Sequence, residues 1–158
     1  MSIIDSLITD RTAADVRRWE ELKAKAFADM TAEEQAEWLA GMKGAYKPDD
    51  RNRVGEAVLY VANRLKAAGN DIMVSPKTDW TREDIPTPAQ MIHYLEQIQN
   101  VRDVLAVYQT TPAVPADMVD LTHTKANDIE KILVDVDQLI TNMIAAYYYS
   151  GELYGGEV

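Results

Sequence analysis

The sequence predicts an all-α protein. Long proline-free stretches lie between clusters of proline and glycine. Within those stretches apolar residues recur every three and four positions, the helical period. No alternating apolar–polar segment has a partner with which to form a sheet. The expected architecture is a small helical bundle of about five helices with long Pro-containing loops. It forms a single helical domain over 1–158, with an N-terminal arm at 1–12 and a C-terminal tail at 150–158.

The first helix is expected from about Ala13 to Asp29, with Asp10 or Thr12 as N-cap and Val16, Trp19, Leu22 and Ala26 on one face. Thr31 with Glu34 three residues later reads as a capping box, opening a second helix that carries Trp38 and Leu39 and ends at Gly41. Residues 42–52 read as a loop. Asp49 or Asp50 then caps a third helix whose face is Val54, Val58, Val61 and Leu65, widened by Leu59 and Ala62 and stopped by Gly69. Residues 70–85 show no helical period and read as a packed loop pinned by Ile72, Val74 and Trp80. Thr87 as N-cap and Pro88 at the first position open a fourth helix, with Met91, Leu95, Ile98, Val101, Leu105 and Tyr108 as its stripe. After a second break at 110–124, a last helix is expected over about 125–149. Its stripe is Ile129, Leu133, Val136, Ile140 and Met143, broadened by Ile132, Leu139, Ile144 and Tyr147, which suits the central helix of a bundle.

A weak internal repeat relates Asn52-x-Val54 to Asn127-x-Ile129, each at the head of a long helix, and Pro88-Ala-Gln-Met91 to Pro115-Ala-Asp-Met118. The competing explanation is that capped amphipathic helices resemble one another.

The charge balance narrows function. The chain carries 26 acidic and 16 basic residues, a net charge of −10. A polyanion is repelled by such a surface, so no nucleic-acid partner is expected. The surplus concentrates in residues 101–158, with three bases against nine acids. Without cysteine there is no disulfide scaffold and no thiolate chemistry. No apolar run is long enough for membrane insertion. The opening MSIIDSLITDR has acids where a signal peptide has its basic region.

No catalytic, metal or cofactor-binding residue is assigned. The carboxylate pairs Glu33–Glu34, Asp49–Asp50 and Glu83–Asp84 stand at helix starts, where the macrodipole favours them. Asp135 and Asp137 are expected on a solvated face. His93 and His123 lack ligand spacing and read as surface or helix-packing residues. Gly41-Met-Lys-Gly44 reads as a loop turn rather than an anion cradle. An enzymatic reading would need a partly buried His93 in a pocket with an acid. The aromatic balance points elsewhere: 8 Tyr against 1 Phe, with Tyr147, Tyr148, Tyr149 and Tyr154 crowding the C-terminus. Consecutive helical residues cannot all face one core, and Tyr favours interfaces, so these four are the protein-interface candidates.

Several phrases together carry a resemblance. They are Thr9-Asp10-Arg11-Thr12-Ala13-Ala14-Asp15-Val16, Met42-Lys43-Gly44-Ala45-Tyr46 with Asp50-x-Asn52-Arg53-Val54, and Trp80-Thr81 with Asp84-Ile85-Pro86-Thr87-Pro88. Asn127-Asp128-Ile129-Glu130-Lys131 and the ending from Tyr149 to Glu157 complete the set. In this order they resemble a module of minor structural and tail-fibre-type proteins of tailed bacteriophages, including prophages. The resemblance implies a non-enzymatic virion protein, a tail, baseplate or fibre adaptor made in the bacterial host cytoplasm. It further implies other virion tail proteins as partners, assembly as a trimer or hexamer, and no cofactor. The alternative is an acidic helical interaction module that binds and modulates a host protein, for example as a nucleic-acid mimic.

Overall fold

The computed structural model describes the backbone of residues 1–155 and the side chains through Ser150. Five α-helices follow in order: α1 (Ala13–Lys23), α2 (Ala32–Ala40), α3 (Pro48–Ala67), α4 (Pro88–Arg102) and α5 (His123–Gly155). Short 3-10 turns lie at Ile3–Ser6 and Phe27–Asp29, and no strand occurs among the described residues.

The caps show why the helices begin where they do. Thr12, Thr31 and Thr87 each accept a hydrogen bond from the backbone N–H three residues on, and Asp15, Glu34 and Gln90 accept the cap residue's own N–H in return. α3 departs from expectation. Its N-cap is Lys47 and Pro48 takes the first position; Asp50 accepts the Lys47 N–H at 2.7 Å from within the first turn. At the end of α2, Gly41 adopts φ +87°, a left-handed conformation in which a Cβ is strained.

Three other boundaries move. α1 stops at Lys23 rather than Asp29, because Ala26 is extended and the chain turns so that Met30 and Trp38 close on Leu22. α4 stops at Arg102, leaving Leu105 and Tyr108 half-buried in the following segment. α5 starts at His123 and runs through Gly155, so helix occupies residues expected as tail. Pro115–Met118 forms no helix, unlike Pro88–Met91, so that half of the suspected repeat fails.

The core is built by α3, α4 and α5. Val54, Val58, Val61 and Leu65 meet Leu95, Ile98 and Val101, and both rows meet Ile129, Leu133, Val136 and Ile140. Ala62 is buried as expected, whereas Leu59 faces outward. Trp19 and Trp38 form a smaller cluster around Leu22, Met30 and Met42.

Helix direction follows from the polar pairs. Arg53 reaches Glu130 and Arg64 reaches Asp137 and Thr141, so α3 and α5 run the same way. Ser75 bonds Gln97 and His93, while Trp80 bonds Asn52 near the head of α3. The 70–87 segment therefore returns along the bundle before α4 starts, parallel to α3. The 103–122 segment does likewise beside α5, with Tyr108 against Asn142 and Thr111 against Asp135. Parallel neighbours explain the long loops. A 20-residue helix such as α3 spans about 30 Å, and an extended chain needs about nine or ten residues to travel back.

The Asn half of the repeat is physical. Asn127 accepts the Arg11 N–H at 3.0 Å and donates to the Arg11 carbonyl at 2.9 Å. Asn52 does the same with Trp80, at 2.7 and 2.9 Å. Each side chain completes the backbone hydrogen bonds of one residue in an extended segment lying on its helix. Three residues further along, Glu130 accepts the Ile8 N–H at 2.6 Å, and a Cβ on Gly55 would lie 2.8 Å from the Lys77 carbonyl oxygen. The clamped segments share a pattern, Thr9-Asp10-Arg11-Thr12-x-x-Asp15 and Thr78-Asp79-Trp80-Thr81-x-x-Asp84. In both, the Thr N–H and hydroxyl donate to the Asp carboxylate. These bonds hold both carboxyls below the ordinary Asp range, led by the Thr12 hydroxyl for Asp15 and the Thr81 N–H for Asp84.

Asn52→Ala and Asn127→Ala should each lower stability by about 1–3 kcal/mol, since each strands a backbone donor and acceptor. Urea denaturation of the single variants measures this, and Gly55→Ala should fall in the same range because it forces the Lys77 backbone outward.

Candidate functional site

Two regions concentrate functional chemistry: a buried ionic cluster at the heads of α3 and α5, and the free end of α5. In the cluster, Arg11, Asp50 and Glu130 are buried and Arg53 closes the outer side. Glu130 Oε1 accepts from Arg11 at 2.7 Å and Arg53 at 3.0 Å, and its Oε2 takes the Ile8 N–H. Asp50 Oδ1 accepts from Arg11 at 3.2 Å and Arg53 at 2.6 Å. Arg11 also donates from Nε to the Lys43 carbonyl and from Nη1 to the Ile8 carbonyl. Two cations thus meet two anions. Burial works against the Arg53 charge, but Glu130 and Asp50 more than offset it, and its pKa is raised.

Above this cluster the Tyr46 and Tyr94 hydroxyls lie 2.6 Å apart, and Arg11 lies over the Tyr46 ring. Desolvation of the hydroxyls raises both phenols above their ordinary value of 10. Reactive groups need a free valence toward a substrate. Here every carboxylate oxygen of Asp50 and Glu130 accepts a protein hydrogen bond. Chemically, the arrangement can hold three chain segments together.

The other candidates disperse. His93 is exposed; its Nε2 meets the Ser75 carbonyl at 2.9 Å and its Nδ1 meets Gln97 at 3.4 Å. Its adjoining pocket is lined by Lys77, Trp80, Gln90 and Tyr94, without an acid. A larger cavity, about 680 Å³, includes His123, Glu20, Arg11 and Arg51. Among the described residues no hydrogen bond links His123 to a carboxylate, and no group of three or more His, Asp or Glu converges as metal ligands. Gly44 cradles no anion: a Cβ there would sit 2.1 Å from the Asp15 carbonyl oxygen, so α1 packs directly on it. Asp135 corrects the expectation of a solvated face. It is buried, accepts from Thr111 at 2.7 Å and pairs with Lys131, because the 103–122 segment covers that side of α5.

The end of α5 is open. Ile140 is the last fully buried member of its stripe. Met143, half-buried beside the end of α3, and the exposed Tyr147 continue the same three–four spacing past it. Tyr147, Tyr148 and Tyr149 are 82%, 73% and 71% exposed. The Tyr154 side chain lies outside the described residues. Ala67 and Ala68 join Met143, Ile144, Tyr147 and Tyr148 in lining a groove of about 440 Å³. Residues 138–151 contain no charged side chain. No described helix is long and apolar enough to cross a membrane.

No protein-family model, curated protein or solved structure matches this chain. Its functional reading therefore comes from these two regions and from the phrases quoted above. Arg11, Asp50, Asn52, Arg53, Trp80, Asn127 and Glu130, which clamp the fold, all fall within those phrases. The cluster residues were missed because a single charged residue carries no periodic signal. The paired T-D-x-T-x-x-D pattern was the available clue.

Raised phenol pKa values mean that the folded state favours neutral Tyr46 and Tyr94. That stabilisation is present below pH 10 and is lost as pH rises through the folded values. Ultraviolet titration should show two tyrosines ionising only above pH 10 together with unfolding, and Tyr94→Phe should remove one of them.

Proposed function

We propose that the protein is a non-enzymatic assembly component, an adaptor of a phage tail, baseplate or fibre that works by docking. The observation that carries this reading is the end of α5. An isolated helical segment of this length is marginal in water, so a projecting one with exposed tyrosines is best accounted for by a protein that covers it. The first occupant is a second copy of the chain. Copies at −10 each repel one another, and the uncharged 138–151 segment is where they can approach without that penalty. The order of the phrases resembling phage tail modules supports the virion setting, with other tail proteins as further partners.

The nucleic-acid-mimic alternative draws on the acid surplus of residues 101–158. Glu130 and Asp135 are buried, and Asp117 and Asp137 are paired with Lys125 and Arg64. That distribution gives the alternative less support than the tyrosine-bearing end gives assembly.

Light scattering of the full chain should show a trimer or hexamer that dissociates on dilution. Tyr147→Asp with Tyr148→Asp should shift it to monomer without loss of helical signal, because neither side chain supports the core. A strict monomer that binds no tail component would contradict the reading.

A further inference from the structure

The chain has three tryptophans, and all three line one cavity of about 270 Å³. It lies between the α1–α2 unit, which supplies Trp19 and Trp38, and the clamped segment carrying Trp80. Lys47, Asp49 and Arg82 line it as well. In so acidic a protein most cations find a carboxylate, yet among the described residues neither Lys47 nor Arg82 has one within 4.0 Å. A third cation without an ion pair, Arg51, lies 4.9 Å from the Trp80 ring centre. Trp80, which lines the cavity, also has a buried indole N–H without an acceptor.

We propose that this cavity is a binding site for a small anionic saccharide, a single sugar ring bearing a phosphate or carboxylate. The chemistry selects that class. Tryptophan offers a broad apolar face with a polar edge, suited to the C–H face of a sugar ring. Trp38 is the platform, since Lys23 lies over Trp19, and Arg51 and Lys77 lie over Trp80. Lys47 and Arg82 supply charge-assisted donors for the anionic group. Asp49, on the rim, disfavours a bare anion and accepts from ring hydroxyls. The volume takes one ring and its substituent, below the usual range for larger ligands. The site is independent of the α5 end and of the assembly reading.

Because every tryptophan of the chain lines the cavity, intrinsic fluorescence reports on it directly. The full chain is titrated with glucose 1-phosphate, glucuronate, glucose and inorganic phosphate. A saturable change with glucose 1-phosphate or glucuronate is expected, and which one responds identifies the anionic group. Arg82→Gln and Lys47→Gln should each weaken binding by about tenfold, the usual effect of losing a hydrogen bond to a charged group. Arg82 is exposed, so its variant keeps the fold, and circular dichroism checks this. No saturable change with either anionic sugar would overturn the proposal. So would an equal response to glucose or to inorganic phosphate, or unchanged affinity in both variants.

Discussion

Everything in this fold leans on a guanidinium with almost no access to water. Arg11 comes from a segment with no helical structure, yet it is buried between α3 and α5 and bonded to both Asp50 and Glu130. Removing any partner leaves a buried charge uncompensated, which is far more costly than the pair is stabilising. The cluster therefore acts as a register device. It admits one placement of residues 7–12 on α5, fixes the heads of α3 and α5 side by side, and commits both helices to run in the same direction. The long returns at 70–87 and 103–122 follow from that direction.

A second, uncharged version of the same contact sits at Trp80. There Asn52 does for Trp80 what Asn127 does for Arg11, and Gly55 makes room where Glu130 makes a bond. The two clamps hold extended chain on helix with side-chain amides in place of a sheet. Stability thus gathers at the heads of the helices, and the opposite end of α5 is left free. The separation suits an adaptor with a rigid body and one exposed helix end.

Much of this was legible in the residues. The caps at Thr12, Thr31 and Thr87, the stop at Gly69 and the stripes of α3, α4 and α5 rest on local rules that hold whatever the partners are. Helix direction was not legible, because periodicity tells which face is buried and not which way the neighbour runs. Glu130 was hidden for a related reason. Its principal partner stands 119 residues away, and apolar spacing is blind to a carboxylate that is satisfied at such range. Asp135 was misjudged because the cover over it is an irregular segment. At the candidate site, Ile144 and Tyr147 were expected to broaden the buried stripe of α5 and are exposed instead, because apolar spacing does not tell where the neighbouring helices stop; only the rule that three successive tyrosines cannot share one buried face was legible. The convergence of Trp19, Trp38 and Trp80 had no signal in the sequence, as it depends on the return of the 70–87 segment.

The most direct measurement is a double-mutant cycle on the cluster. Chemical denaturation is followed for Arg11→Met, Glu130→Leu and the two combined. Each single change strands a buried charge and should cost about 3–5 kcal/mol, whereas the combined variant should lose much less than the sum. Small, additive losses would contradict the account, for they would mean that Arg11 and Glu130 are not held together in a closed buried pair.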